Sequence, residues 1–187
     1  MHSLIIFASG TGTNATAIVN FFKENSKARV SLIVSNNANA GVLEMAKREM
    51  IPFLIIDKHT FRETLLIEQL QEHNPSLIIL AGFMWKIPQL LVAAFENKII
   101  NIHPALLPAY GGKGMYGHHV HNAVISAQEK ESGITIHYVN EAYDEGNIIL
   151  QARCRVNEKA DANALANSIH KLEHYYYPRA IEYLLEA

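Results

Sequence analysis

A histidine and an amide, two positions apart, are the residues of this sequence best suited to catalysis. Asn101 and His103 belong to the motif Asn101-Ile102-His103-Pro104, which ends a short apolar run. In an extended segment, side chains two positions apart point the same way, so both can face one pocket. An amide can donate a hydrogen bond to a developing oxyanion, and a histidine can do the same or move a proton. The alternative is a polar pair that only satisfies hydrogen bonds at the edge of a sheet.

Asp144 is the carboxylate that could support His103. It lies in Tyr143-Asp144-Glu145-Gly146, a sequence typical of a turn. A carboxylate beside His103 would orient the imidazole and raise its pKa. Sequence spacing does not decide between this role and that of an ordinary turn aspartate. We expect His137, in a predicted strand, to act at most as a supporting hydrogen-bonding residue.

Three further histidines, His118, His119 and His121, raise the question of a metal site. Their spacing does not match a strong zinc motif, and no thiolate accompanies them. Cys154 is the only cysteine, so an internal disulfide is excluded. The sequence therefore predicts no metal.

A glycine-bearing loop follows the first apolar run and precedes the first predicted helix. Its sequence is Ser9-Gly10-Thr11-Gly12-Thr13-Asn14. Glycines let the backbone approach a ligand closely, and the first amide groups of the helix point into the loop with the positive end of the helix dipole behind them. This arrangement favours phosphate binding over a purely structural turn. A dinucleotide fits less well, because Ala15 replaces the third glycine of that motif and Ser35-Asn36-Asn37 contains no acidic residue for a ribose.

The elements that must position these residues alternate between strands and helices. Apolar runs at residues 4–8, 30–34, 53–56, 77–81 and 98–102 are typical of strands buried on both faces. Amphipathic segments between them predict helices, the clearest starting with a capping box, Thr60-Phe61-Arg62-Glu63, and ending at Asn74-Pro75. The fold class predicted is α/β: a Rossmann-like, doubly wound, mostly parallel sheet with helices on both faces.

The pattern changes in the second part of the chain. Glycines and prolines at residues 104–118 predict a long loop, and a helix is expected near residues 121–130. Two further strands are predicted, at residues 134–139 and 148–156. The last helix should be capped by Asp161 and kinked or broken by Pro178.

Composition restricts the classes of function. Apolar residues make up 49% of the chain, enough for a sizeable core. Sixteen basic residues against eighteen acidic ones give a formal net charge of −2, which argues against a nucleic-acid surface. No apolar stretch approaches the roughly 20 residues of a membrane helix, and no secretion signal is recognisable. We therefore expect a cytoplasmic protein that binds small molecules, neither nucleic acid nor membrane, as a monomer or homodimer.

Four motifs, in this order, resemble the folate-dependent formyltransferases, in particular those that act on glycinamide ribonucleotide. They are residues 9–14, 81–84, 101–108 and 133–146, and the resemblance covers nearly the whole chain. It implies transfer of a formyl group from 10-formyltetrahydrofolate, a co-substrate, to the amine of 5-phosphoribosylglycinamide. The products would be formylglycinamide ribonucleotide and tetrahydrofolate, in de novo purine biosynthesis. Residues 1–187 would form a single domain with a phosphate-binding βαβ half, residues 1–100, and a catalytic and folate-binding half, residues 101–187.

The resemblance also implies roles for single residues. The catalytic trio would be Asn101, His103 and Asp144. The ribonucleotide would be bound by Gly12, Thr13, Asn14 and Glu173. The folate would be bound by Met84, Trp85, Lys86, Ile87, Asn101, Val139, Glu141 and Arg62.

The sequence departs from the family pattern in three places. The loop at residues 109–119 is longer, and it could reach the phosphate through Lys113 or cover the site. Arg62 is the nearest match to an arginine for the folate tail, with His59 as its competitor, and His170 stands where glutamine is expected. Two other functions stay open: a formyltetrahydrofolate deformylase, in which water replaces the amine, and a non-catalytic nucleotide-binding protein.

Overall fold

A seven-stranded sheet forms the centre of the computed structural model of this protein, in the order β3-β2-β1-β4-β5-β6-β7. The structure describes residues 1–186, so Ala187, the last residue of the predicted domain, lies outside the described residues. The strands are β1 His2–Phe7, β2 Ala28–Ser35, β3 Phe53–Ile55, β4 Leu77–Leu80, β5 Ile99–His103, β6 Glu131–Tyr138 and β7 Ile148–Arg155. Strands β1 to β5 pair in parallel, whereas β6 and β7 are antiparallel additions. The predicted mostly parallel α/β fold is confirmed.

Helices cover both faces of the sheet. They are α1 Thr13–Asn25, α2 Gly41–Arg48, α3 Thr64–Glu72, α4 Gln89–Ala94, α5 His118–Ser126 and α6 Ala162–Glu186, with a short 3-10 helix at Thr60–Arg62. Alternate residues of β1 explain why both faces need cover. Leu4 and Ile6 pack in the apolar cluster that contains residues of α1, α2, α5 and α6, while Ile5 and Phe7 pack with residues of α3 and α4. Strand β1 is therefore apolar without interruption, as a strand buried on both faces must be.

A crevice opens where the direction of the chain through the sheet reverses. Strand β1 pairs with β2 on one side and with β4 on the other. The connections that leave β1 and β4 at their carboxyl ends therefore diverge, and ligands of open α/β sheets bind at this point. The backbone N–H of Ser9, after β1, donates to the carbonyl oxygen of Gly82, after β4, at 3.1 Å. This bond holds the two loops at the border of the crevice.

Strand β6 and helix α6 bring distant residues to the same edge. In the antiparallel register of β5 and β6, Asn101 lies opposite His137. The fully buried Tyr177 of α6 directs its hydroxyl to the carbonyl oxygens of Leu80 and Ile100, at 3.0 and 3.3 Å. This contact fixes α6 against β4 and β5 and thereby positions Glu173, one turn earlier in the helix.

The predicted capping box at Thr60 is wrong. Helix α3 begins at Thr64, and residues 60–62 form the 3-10 helix instead. The reason is Asp57, whose carboxylate accepts hydrogen bonds from the backbone N–H and the hydroxyl of Thr60, at 2.8 and 3.0 Å. Within α3, Leu65 is 54% exposed, whereas Leu66 and Leu70 are buried.

Of the kink or break predicted at Pro178, the break does not occur, since α6 runs through this residue. A proline inside a helix costs about 3 kcal/mol because it removes a hydrogen bond and crowds the preceding turn. Burial of apolar side chains before and after Pro178 in α6 offsets that cost, since Ile169, Tyr177 and Ile181 are all 0% exposed. The predicted cap is confirmed, because Asp161 Oδ1 accepts from the backbone N–H of Ala164 at 2.7 Å.

Candidate functional site

A cavity of about 420 Å³ lies at the carboxyl ends of β1, β4 and β5. This volume is typical of small-molecule sites, which measure about 300–1,000 Å³. Residues from the loops after all three strands line it, together with residues of α5 and α6. Most of the residues singled out in the sequence contribute to its wall: Gly12, Thr13, Asn14, Met84, Trp85, Lys86, Ile87, Asn101, His103, Val139, Asp144 and Glu173.

The three proposed catalytic residues meet in this cavity. His103 ends β5 and is 3% exposed. Its Nδ1 lies 3.5 Å from Asp144 Oδ2, and its Nε2 lies 2.7 Å from the carbonyl oxygen of Tyr110. Asn101 and His103 both line the cavity, as their spacing in the strand predicts. An amide, an imidazole and a carboxylate are thus within reach of one bound molecule.

His137 orients the amide of Asn101. Its Nδ1 lies 2.8 Å from the carbonyl oxygen of Tyr138, which can only accept, so Nδ1 carries the proton of the neutral ring. Nε2 then accepts from Asn101 Nδ2 at 3.2 Å and also lies 3.6 Å from Asp144 Oδ1. An amide nitrogen has two N–H groups, so one of them remains for a ligand oxygen.

The conformation and the charge of Asp144 suit it to act as the carboxylate partner of His103. Its φ of 57° lies in the left-handed region, which aspartate tolerates better than most residues. The backbone N–H of Gly112 donates to Oδ2 at 3.0 Å. Burial alone would raise the pKa of Asp144, but the nearby rings of His137 and His103 and the Gly112 N–H together lower this pKa below its ordinary value. The group is therefore ionised at neutral pH.

Asp144 acts to raise the pKa of His103, as expected, but the net shift of this pKa is downward. Burial lowers the pKa of His103, and its effect exceeds the opposing effects of Asp144 and the Tyr110 carbonyl. The nearby His137 ring lowers this pKa further. His103 is therefore neutral at neutral pH, with Asp144 beside it to stabilise a proton that arrives during a reaction.

The loop after β1 and helix α6 form another part of the cavity. Asn14 Nδ2 donates to Glu173 Oε2 at 2.9 Å, and Glu173 is 7% exposed. Burial raises the pKa of Glu173, while Asn14 and His170 oppose this shift. Gly12 caps α1 with a φ of 79°, and a Cβ there would lie 2.7 Å from Val42 Cβ. Only glycine fits this position, where the first turn of α1 meets the cavity.

An aromatic wall lines the cavity after β4. Trp85 packs against Phe61 and Phe83, with ring centroids 5.5 and 6.2 Å away. Met84 is 47% exposed although it is apolar. Lys86 Nζ lies 5.3 Å from the centre of the Tyr143 ring. A flat heterocycle would bury this apolar surface.

Some predicted residues do not line the cavity. Arg62 and Glu141 are exposed, and Gln89 Nε2 donates to Glu141 Oε1 at 2.7 Å. His59 instead pairs with Glu63 at 2.7 Å, and Lys113 is exposed beside the cavity-lining Gly112.

The sequence did not identify every residue of the cavity. Met115, Tyr116, Gly117 and His121 line it, although His121 was considered only as a metal ligand. Within residues 1–186, no group of three or more histidine, cysteine, aspartate or glutamate residues is arranged to hold a metal ion. The tilt of helical side chains toward the amino end of a helix could have pointed to His121, once a helix was predicted to start after Gly117.

Comparison with known proteins identifies the class to which this fold and this site belong. Residues 2–181 match the Formyl transferase family, so the chain belongs to that family. The chain is 40% identical to phosphoribosylglycinamide formyltransferase of Bacillus subtilis (strain 168) over 191 residues, which cover 99% of this chain and 95% of that protein. It is similar, with a TM-score of 0.91 and 34% identity, to the crystal structure of glycinamide ribonucleotide transformylase 1 from Symbiobacterium toebii, with 100% of this chain and 88% of that one covered.

A formyltetrahydrofolate deformylase from Pseudomonas syringae pv. tomato str. DC3000 shares the fold, with a TM-score of 0.88 at 20% identity. That match covers 99% of this chain and 61% of the deformylase chain, and at this identity it concerns the fold alone.

Across residues 1–186, no helix combines the length and the apolar character needed to cross a membrane.

Proposed function

We propose that this protein transfers the formyl group of 10-formyltetrahydrofolate to the amine of 5-phosphoribosylglycinamide, which gives formylglycinamide ribonucleotide and tetrahydrofolate in purine biosynthesis. One observation carries the proposal. A single cavity contains the glycine-capped start of α1, the His103–Asp144 pair and the aromatic wall at Trp85. These features suit a phosphate, a reacting centre and a flat heterocycle, respectively.

In this proposal the two halves of the chain divide the work. Residues 1–100 supply the start of α1 for the phosphate, and residues 101–187 supply the reacting centre. The folate lies against residues of both halves, because Met84 and Trp85 precede position 100 while Val139 follows it. We place this reaction in the cytoplasm, with small molecules as the protein's ligands.

The reaction begins when the substrate amine attacks the formyl carbon on N10 of the folate. The oxygen of the resulting tetrahedral intermediate accepts a hydrogen bond from the Asn101 N–H that His137 leaves free. The neutral His103 takes the proton that the amine loses, and Asp144 stabilises the imidazolium. His103 then returns this proton to N10, the bond from carbon to N10 breaks, and the formylamide and tetrahydrofolate form. The nucleophile belongs to the substrate, so no covalent enzyme intermediate is required.

Turnover with and without the ribonucleotide tests the proposal. Purified protein is mixed with 10-formyltetrahydrofolate or its 10-formyl-5,8-dideaza analogue, and the folate product is followed by absorbance. We expect product only when glycinamide ribonucleotide is present. Product in its absence would identify a deformylase, and no product in either case would support a binding protein without catalysis.

Replacement of His103 tests the reacting centre. We expect His103→Ala to lower kcat by about two to four orders of magnitude, the range for loss of a general acid-base residue. Folate binding should persist, measured through the fluorescence of Trp85, the only tryptophan of the chain. His119→Ala is the matched control, since His119 is exposed and does not line the cavity. Near-normal turnover by a folded His103→Ala variant would remove His103 from the mechanism.

A further inference from the structure

His121 is a buried histidine of the cavity wall that the proposed reaction does not use. It is 3% exposed, and its Nδ1 is sealed from solvent without a hydrogen-bond partner. Its ring nevertheless lines the same cavity as Gly12 and Glu173. Because Nδ1 is sealed, Nε2 is the ring nitrogen left to bind a molecule in the cavity.

The surroundings of His121 keep its ring neutral. Burial, and after it the nearby rings of His118 on the same helix, His170 on α6 and His103 on β5, lower the pKa of His121 to about 4. A neutral imidazole carries one N–H, and on Nδ1 that N–H would have no acceptor. Nε2 is the nitrogen that can find a partner in the cavity, so with an acceptor oxygen bound there the proton resides on Nε2 and His121 acts as a hydrogen-bond donor.

The start of α5 lies beside this donor. Helix α5 begins at His118, after Gly117, which also lines the cavity, and no side chain caps this start. The backbone N–H groups of His119 and Val120 already donate to the carbonyl oxygens of Tyr116 and Gly117, at 3.1 and 3.2 Å, so this helix start attracts an anion chiefly through the positive end of its dipole. Helical side chains lean toward the amino end, so the His121 ring covers the first turn of its own helix. The cavity thus meets the amino ends of two helices, α1 at Gly12 and α5 at Gly117, and an anion is stabilised at each such end.

We propose that His121 and the first turn of α5 bind the phosphate group of the substrate, together with the first turn of α1. The proposal rests on the proposed function for the identity of the ligand, a phosphate monoester of ribose. His121 donates through Nε2 to a phosphate oxygen and makes no contact with the formyl group. It is therefore a binding residue, and it determines specificity for the phosphorylated substrate over the dephosphorylated glycinamide riboside.

Calorimetric titration with ribose 5-phosphate and with the dephosphorylated glycinamide riboside tests the assignment. We expect His121→Leu to weaken ribose 5-phosphate binding by about 10- to 100-fold, the loss typical of a hydrogen bond to a charged group. Binding of the riboside should not change. His121→Gln, which retains an N–H donor, should recover most of the affinity. His119→Leu, at an exposed position of the same helix outside the cavity wall, should bind both ligands as the wild type does.

Other results would overturn the assignment. Unchanged ribose 5-phosphate affinity in a folded His121→Leu variant would do so, and an equal loss for the riboside would place the contact on the ribose or the glycinamide. If the wild type forms tetrahydrofolate without any ribonucleotide and binds no ribose 5-phosphate, the proposed substrate fails as well. If the variants do not fold, NMR of the wild type decides. Bound ribose 5-phosphate should raise the pKa of His121 from about 4, and an unchanged titration would refute the contact.

Discussion

The Asp144 carboxylate lies near two histidine rings, His103 and His137. Its contact with His103 acts against burial in setting the pKa of that ring. Its two oxygens lie 3.5 Å from His103 Nδ1 and 3.6 Å from His137 Nε2. Both distances are too long for strong hydrogen bonds, so the His103 contact is mainly electrostatic. Burial of the His103 ring outweighs it, which leaves a neutral imidazole that can accept a proton beside an ionised partner.

Substitution of Asp144 should reveal this electrostatic contribution. In Asp144→Asn a neutral amide faces His103, so the imidazolium loses its stabilising charge and the pKa of His103 falls further below its ordinary value. NMR titration of the His103 ring measures this shift directly, and kcat should decrease by up to about two orders of magnitude. Glu145→Gln is the matched control, since this neighbouring carboxylate is exposed. An unaltered His103 titration in Asp144→Asn would exclude the charge of Asp144 as its cause.

At the scale of elements, the central strands could be predicted because burial on both faces leaves a continuous apolar run. Strands β1 and β4 show this in Leu4–Phe7 and Leu77–Leu80, all at most 6% exposed. The shared direction of Asn101 and His103 follows from the same strand geometry. The pairing of Asn101 with His137 could not be predicted, since it depends on the register of an antiparallel strand much later in the chain.

Two further contacts of the catalytic residues involve backbone groups, which leave no trace in a sequence pattern. The Tyr110 carbonyl faces His103, and the Gly112 N–H faces Asp144. Any residue type supplies these groups, so only the path of the loop decides their positions. The early start of α5, which brings Gly117 and His121 to the cavity, was missed for a related reason. Glycines and histidines there give no apolar periodicity to mark a helix.

The start of α1 gives a test at this scale. Gly12→Ala places a Cβ 2.7 Å from Val42 Cβ at a φ of 79°, so the loop or α2 must move. We expect a loss of roughly 1–3 kcal/mol in the free energy of unfolding, together with weaker ribonucleotide binding. Gly10→Ala is the control for stability, because its Cβ would have no neighbour within 4 Å. Chemical denaturation of both variants compares them, and equal stability would show that the fit at Gly12 does not constrain α1.

Across the whole molecule, buried titratable groups couple the site to stability. Burial lowers the pKa values of His103 and His121, so the folded protein resists protonation at both. Glu173 acts in the opposite direction. Burial raises its pKa, so its contribution to the free energy of unfolding increases as the pH falls. A cavity built from buried histidines therefore makes the fold sensitive to acid in a range where surface carboxylates are still ionised.

His121 should contribute most clearly to this sensitivity. Its pKa is about 4 in the folded protein against an ordinary value of 6.5, so the unfolded chain binds the proton first as the pH falls. Its contribution is complete above pH 6.5 and is lost toward pH 4, by roughly 3 kcal/mol if the whole shift is expressed. Urea denaturation of wild type and His121→Leu between neutral pH and pH 4.5 measures the difference.

We expect the wild type to lose more of its unfolding free energy over this range than His121→Leu, whose apolar side chain takes up no proton. His119→Leu, at an exposed position of the same helix, should retain the wild-type dependence. If the free energy of unfolding depended on pH in the same way for wild type and His121→Leu, protonation of the buried His121 ring would not destabilise the native state. The neutral N–H donor assigned to His121 would then be a cation at mildly acidic pH, and phosphate affinity would rise as the pH falls rather than follow the charge of the phosphate alone.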